Sequence, residues 1–115
     1  MPDKKADNDK RNVPDQARYE ARANIVKALA HPTRLMIVDE LAKGERCVCG
    51  LQQLAGGDLS TISKHLSVLK NAGVVKDSKR GLQVFYSLRC PCLANFFTCI
   101  EGILRKNAED QMRLV

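Results

Sequence analysis

Apolar residues recur at helical spacing along most of the chain, and one stretch near residue 85 favours strands instead. The spacing predicts helices from about Pro14 to Ala30, Pro32 to Lys43, Cys49 to Ala55, Asp58 to Ala72 and Pro91 to Lys106. The helix ends carry the usual signals, with Asp15 and Asp58 as N-caps and Gly44 and Gly73 directly after helices. The pattern therefore predicts a mainly helical domain.

The third and fourth predicted helices are joined by a tight turn at Gly56-Gly57, which is the signature of a helix-turn-helix. Two strands then follow, over residues 74–76 and 82–88, and the polar residues 78–81 between them predict a hairpin, or wing. The sequence thus predicts a mainly α fold with a small β-hairpin, a winged helix-turn-helix in the order α-α-α-α-β-β-α. We expect residues 13–115 to form this domain, with dimerisation helices at both ends, and residues 1–12 to be a disordered tail because they lack apolar periodicity.

Positive charge is concentrated in the predicted DNA-reading part of the chain. The net charge is +6, and the stretch from Leu59 to Cys90 carries six bases against one acid, which is typical of a nucleic-acid footprint. On the fourth helix, Ile62, Leu66 and Leu69 point inward. The candidate DNA contacts are the outward residues Ser60, Thr61, Ser63, Lys64 and Ser67, His65 at the edge of the apolar stripe, and Lys79 and Arg80 at the hairpin tip. The alternatives are a solvated helix face, a packed histidine and an ordinary charged turn.

The chain contains five cysteines, an odd number that excludes a complete intramolecular disulfide framework. Two close pairs, Cys47/Cys49 and Cys90/Cys92, favour metal binding or redox chemistry over simple burial. No apolar stretch is long enough for a membrane span, and the first residues lack the apolar core of a signal peptide. We therefore expect a cytoplasmic protein.

Three segments together resemble the ArsR/SmtB family of winged-helix repressors: Ala28 to Leu35, Glu40 to Glu45 and Ser60 to Leu69. The similarity extends over about residues 20–105. It implies a homodimeric metalloregulatory repressor that uses its first and last helices as the dimer interface. It also implies binding to an inverted-repeat operator and release when an inducer binds.

Cys47-Val48-Cys49 is similar to the motif that arsenic-, cadmium- and lead-responsive members of the family carry before the recognition helix. Where some members place a third cysteine, this chain has Gln52. The resemblance and the soft thiolates favour As(III) or Sb(III) as inducer, with Cd and Pb as further options, and no organic cofactor. The candidate ligands are Cys47, Cys49, Cys90, Cys92 and Cys99.

Two arrangements of these thiols remain open. Cys47 and Cys49 could share an ion with a third cysteine from the C-terminal segment of either protomer, or a separate site could form at Cys90 and Cys92, with or without Cys99. Because residues i and i+2 of a helix point about 200° apart, we expect one ion to bind both Cys47 and Cys49 only by distorting the helix start. His31 is better explained by its place ahead of Pro32 than as a ligand.

Other functions are less consistent with the sequence. An enzyme is not expected, since the chain has no phosphate-binding glycine loop and no paired carboxylates with a histidine. A thiol redox or persulfide sensor of the same fold is the main alternative, with a reversible bond between Cys49 and a C-terminal cysteine. A constitutive architectural DNA-binding protein with incidental cysteines is the last.

Overall fold

The computed structural model describes residues 2–114, with side chains described for residues 15–114. The helices are α1 (Pro2–Leu29), α2 (Pro32–Leu41), α3 (Val48–Ala55), α4 (Leu59–Asn71) and α5 (Ala94–Leu114), and a 3-10 turn (Pro91–Leu93) precedes α5. The strands are β1 (Arg46–Cys47), β2 (Val75–Arg80) and β3 (Gln83–Leu88). The predicted winged helix-turn-helix is confirmed, with one strand more than the sequence pattern indicated.

The extra strand, β1, extends the hairpin into a three-stranded antiparallel sheet in the order β1-β3-β2. Its two residues, Arg46 and Cys47, pair with Tyr86 and Phe85 of β3. The predicted turn over residues 78–81 is wrong, because Ser78, Lys79 and Arg80 continue β2 and Arg80 pairs with Gln83. All but the first residue of β2 are exposed, so polar side chains are compatible with a strand there. The turn lies at Gly81-Leu82, where Gly81 has φ +64°.

The core lies where α2, α3, α4 and the sheet meet. It contains the predicted inward face of α4, Ile62, Leu66 and Leu69, each no more than 1% exposed. Its other members are Leu29, Ile37, Val38, Leu41, Leu51, Val74, Val75 and Leu88. Burial of these apolar side chains holds α3 and α4 in a fixed relation to the wing, at roughly 25 cal/mol per Å² of apolar surface removed from water.

The helix ends differ from the prediction in several places. The sequence attributed the start of α2 to Pro32. The structure adds His31 as the N-cap, because its Nδ1 accepts a hydrogen bond from the Thr33 amide at 3.0 Å. The same helix ends at Leu41, two residues before the predicted Lys43. At the C-terminus, α5 continues to Leu114, because six of the eight residues beyond Lys106 (Ala108, Glu109, Gln111, Met112, Arg113 and Leu114) are good helix formers.

α1 runs from Pro2 rather than from the expected start near Asp15. Met1 lies outside the described residues, as do the side chains of residues 2–14. The predicted tail over residues 1–12, and the domain boundary drawn after it, stay predictions. No helix in residues 2–114 is long and apolar enough to cross a membrane.

The outer helices leave a large apolar surface uncovered. In α5 none of the side chains of Ala94–Leu114 is buried. Val26, Leu29, Leu35, Phe96, Phe97 and Ile100 line an apolar groove of about 160 Å³ between α1, α2 and α5. Ile103 and Leu104 are more than half exposed beside it. A small monomeric protein rarely exposes an apolar face of this extent.

Candidate DNA-reading surface and thiol site

The outer face of α4 presents the residues that the helical wheel predicted. Ser60, Thr61, Ser63, Lys64 and Ser67 are all exposed, opposite the buried stripe. The Asp58 carboxylate caps the helix, accepting hydrogen bonds from the Thr61 amide at 2.8 Å and the Ser60 hydroxyl at 3.0 Å. These bonds hold the pKa of Asp58 below its ordinary value. Because the Asp58 carboxylate occupies part of the helix N-terminus, the amides there are less available to an anion than those of an uncapped helix.

His65 packs between helices instead of projecting outward. Its ring lies 4.4 Å from that of His31, centroid to centroid, and its Nδ1 is 3.5 Å from Arg34 Nη1. Burial is the main cause that lowers the pKa of His65, and its neighbours His31 and Arg34 add to the decrease. His65 therefore has the packing that the sequence left open as an alternative to a DNA contact.

The two basic residues expected at the hairpin tip lie in different surroundings. Lys79 and Arg80 are both exposed at the end of β2. Arg80 forms a salt bridge with Glu45 at 2.7 Å and stacks its guanidinium over the Phe85 ring at 4.7 Å. Glu45 comes directly before β1, so this contact ties the wing to the segment that carries the first thiol.

Cys47 and Cys49 lie at the start of α3 with their sulfurs 2.7 Å apart. Cys47 is the N-cap of the helix, with an extended backbone at φ −79° and ψ 160°. The expectation that the two thiols point apart is therefore wrong for this pair, because Cys47 stands outside the helical geometry on which that expectation was based. Two bonds of about 2.3 Å to one soft ion place the sulfurs roughly 3.5 Å or more apart, so the pair must open by about 1 Å to hold an ion.

Hydrogen bonding makes the two thiols unequal. The hydrogen bond between the two thiols, and then the Gly50 amide that donates to Cys47 Sγ at 3.3 Å, lower the pKa of Cys47. The same hydrogen bond between the thiols raises the pKa of Cys49, and burial adds to the increase. The pair is therefore asymmetric, with Cys47 the more readily ionised of the two sulfurs.

Arg46 supports the segment ahead of the pair. Its guanidinium forms a salt bridge with Glu40 of α2 and lies 3.4 Å from the Gly50 carbonyl, to which it donates. Sequence reasoning missed this residue. The available signal was a basic residue next to the CxC motif with an acid six positions upstream.

A groove of about 440 Å³ opens at the thiol pair. Its walls come from the elements that would read DNA as well as from α3. Val48 and Gln52 belong to α3, Leu59 and Ser63 to α4, and Leu82, Gln83, Val84 and Tyr86 to the wing. The thiols thus lie where the recognition helix and the wing face each other.

The other cysteines do not join this pair within one chain. Cys90, Cys92 and Cys99 are exposed and lie before, within and after the 3-10 turn that leads into α5. Among the described residues, no group of three or more His, Cys, Asp or Glu side chains could hold a metal ion. Of the five predicted ligands, the structure brings together Cys47 and Cys49.

Comparison with known proteins agrees with this architecture. Residues 31–77, from α2 into β2, match the family described as bacterial regulatory protein, arsR family. The homodimeric winged helix-turn-helix DNA-binding domain of a possible ArsR-family transcriptional regulator from Mycobacterium bovis is 31% identical. Its TM-score is 0.73, and the match covers 84% of this chain and 89% of that one.

Two further relatives are similar. The transcriptional repressor BigR from Xylella fastidiosa is 34% identical, with a TM-score of 0.69 over 80% of this chain and 94% of that one. The cadmium resistance transcriptional regulatory protein CadC homolog from Staphylococcus aureus is 42% identical over 67 residues, which are 57% of this chain and 55% of that relative. The fold, the exposed recognition helix and these matches together show that the chain belongs to the ArsR family of DNA-binding transcriptional regulators.

Proposed function

We propose that this protein is a homodimeric repressor that leaves its operator when a thiophilic ion binds Cys47 and Cys49. The observation that carries the proposal is the convergence of the two sulfurs in a groove walled by both DNA-reading elements. Soft sulfur ligands select As(III), Sb(III), Cd or Pb over hard ions. The CadC homolog, a cadmium resistance regulator by name, supports this class of inducer.

The position of the groove explains how binding can reach the DNA. Leu59 and Ser63 belong to the first turns of α4, and Leu82 and Val84 belong to the tip of the wing. An ion that draws the two sulfurs into a new geometry shifts the start of α3 against both walls. A hundredfold loss of DNA affinity needs a coupling free energy of about 2.7 kcal/mol between the two sites, within the range of ordinary allosteric coupling.

The dimer follows from the uncovered face of the outer helices. Val26, Phe96, Phe97 and Ile100 line a groove without polar side chains, and α5 buries none of its residues in the described chain. A second copy related by a two-fold axis would cover this face and would present two α4 helices to successive major grooves. The homodimeric relative from Mycobacterium bovis supports this arrangement.

The DNA contacts that we propose are Ser60, Thr61, Ser63, Lys64 and Ser67 of α4 together with Lys79 of the wing. Arg80 joins them, since its salt bridge with Glu45 uses one guanidinium nitrogen and leaves other N–H donors for a phosphate. His65 supports α4 from behind through its contacts with His31 and Arg34.

The test is operator binding measured by fluorescence anisotropy, with a duplex selected from random DNA by the protein itself. Arsenite, antimonite, Cd and Pb are each titrated against the wild type, Cys47→Ser and Cys49→Ser. We expect release of the wild type and none of either variant. Release of both variants at the wild-type concentration of ion would overturn the proposal.

A thiol redox sensor is the second candidate, and the sulfur contact at 2.7 Å favours it. The Cys47 thiolate would attack a peroxide to give a sulfenic acid, and the Cys49 sulfur would then displace water to form a disulfide. In sum, two thiols and one hydrogen peroxide give one disulfide and two water molecules. Release of the operator by peroxide in metal-free buffer, with reversal by dithiothreitol, would favour this function over ion sensing.

A further inference from the structure

We propose, on the basis of the function proposed above, that the thiol groove selects a trivalent arsenical carrying one organic substituent over inorganic arsenite. The groove supplies two sulfurs and an apolar surface, and the described chain supplies no third ligand. An As(III) centre that already holds one carbon needs two sulfur bonds to complete its three. The composition of the site matches that requirement.

The side chain at the position of a possible third ligand is engaged elsewhere. Gln52 lies one helical turn after Cys49 and lines the groove, but its Nε2 donates to the Gly57 carbonyl at 3.4 Å. This hydrogen bond directs the amide to the turn between α3 and α4. A neutral amide is also a poor ligand for a soft ion, so an arsenite bound by the pair would keep an unexchanged hydroxyl.

Apolar side chains on the rim of the groove are available to a carbon substituent. Leu82 at the wing tip is fully exposed, and Leu59 at the start of α4 is 51% exposed. Val48 and Val84 continue this surface next to the sulfurs. A volume of about 440 Å³ lies in the range of small-molecule sites. A methyl or phenyl group on the arsenic atom would cover these side chains, whereas a hydroxyl would be placed against them.

The chemistry balances without an oxidant or reductant. Two As–S bonds form at Cys47 and Cys49 and two As–O bonds of the dihydroxy arsenical break. The two thiol protons leave with the hydroxyl groups as two molecules of water, and arsenic stays trivalent throughout. The adjacent sulfurs suit this exchange, because the second thiol lies next to the arsenic centre once the first As–S bond has formed.

The experiment measures arsenical binding to the full chain directly, without DNA. Phenylarsine oxide, methylarsenite and inorganic arsenite are titrated, with loss of free thiols and the mass of the adduct as readouts. We expect one arsenic per chain, two thiols consumed and a preference of about tenfold or more for phenylarsine oxide over arsenite, the size expected for partial burial of one ring.

Two sets of variants separate the thiols from the groove. Leu82→Asn should weaken phenylarsine oxide binding severalfold and leave Cd binding unchanged, while the control Leu54→Asn, on α3 outside the groove lining, should change neither. Both positions are exposed, so the variants should fold. Gln52→Cys adds the missing thiol and should raise arsenite affinity until the preference for the organic arsenical is lost.

The outcomes distinguish this inference from the proposed function. If arsenite binds the wild type as tightly as phenylarsine oxide and consumes three thiols, a second copy completes the site and the inference is wrong, although ion-induced release can still hold. If the organic arsenical binds selectively but leaves the operator complex intact, the inference stands and the proposed function fails.

Discussion

The two groups of cysteines lie in regions of opposite character. Cys47 and Cys49 lie at a helix start next to the core, with Leu51 completely buried two residues later. Cys92 and Cys99 lie on the 3-10 turn and on α5, a helix with no buried residue among Ala94–Leu114. The first pair is positioned by the packing of its own chain, and its sulfurs already converge. The second group depends on whatever covers the outer helices, so spacing in sequence alone does not make a site.

The packing difference predicts the largest effect. Leu51→Ala removes a fully buried side chain and should lower the free energy of unfolding by about 3 kcal/mol. Ile103→Ala, on the exposed face of α5, should cost about 1 kcal/mol or less in the folded chain. Urea denaturation at two protein concentrations checks both. If this face forms the dimer, the midpoints of the wild type and of Leu51→Ala should rise with protein concentration, and the midpoint of Ile103→Ala should depend on it less. Equal losses for the two variants would contradict the comparison.

The thiol difference is tested by serine substitutions at matched positions. Cys47→Ser should raise the inducer concentration needed for operator release by at least about 100-fold, since one of two converging sulfur ligands is lost. Cys92→Ser should change it less than about twofold, because Cys92 has no cluster of metal-ligating side chains in the described chain. Anisotropy with phenylarsine oxide or Cd gives both values. The reverse result would move the sensor to the C-terminal region.

Charge offers a smaller contrast between the same regions. Lys64 is exposed on α4 and Lys106 is exposed on α5, so their substitution by alanine removes the same charge at different places. Lys64→Ala should reduce the slope of log affinity against log salt by about one phosphate contact, and Lys106→Ala should leave it unchanged. Operator titrations at several salt concentrations measure the slopes. Equal slopes for both variants would argue against the proposed orientation on DNA.

Local patterns were sufficient to predict the part of the fold that depends on neighbours in sequence. The apolar stripe Ile62, Leu66 and Leu69 and the cap at Asp58 follow from spacing and residue type, and the structure confirms both. The strand β1 could not be predicted in this way, because two residues have no periodicity and become a strand only by pairing with β3.

The candidate site shows the same limit. The sequence identified the CxC motif. The two sulfurs converge because Cys47 is the N-cap of α3 and has an extended backbone, and the motif alone does not indicate where the helix begins. The contact between Glu45 and Arg80 joins residues 35 positions apart. Such a contact is set by the docking of the wing on the rest of the domain, which no local pattern encodes.

The smallest predicted effect concerns the inequality within the Cys47–Cys49 pair. Because the pKa of Cys47 is lowered and that of Cys49 is raised, Cys47 should ionise at a lower pH than Cys49. Alkylation by iodoacetamide at several pH values between 6 and 9, analysed by peptide mass spectrometry, should therefore modify Cys47 first.

Cys49→Ala removes the hydrogen-bond partner that lowers the pKa of Cys47 most. It should shift the alkylation midpoint of Cys47 upward, and the Gly50 amide should retain part of the stabilisation. The variant Cys90→Ser/Cys92→Ser/Cys99→Ser should leave the midpoint where it is, because the asymmetry arises inside the pair. If that triple variant shifted the midpoint instead, the C-terminal thiols would contact the pair in solution. The two groups of cysteines would then not be independent of each other.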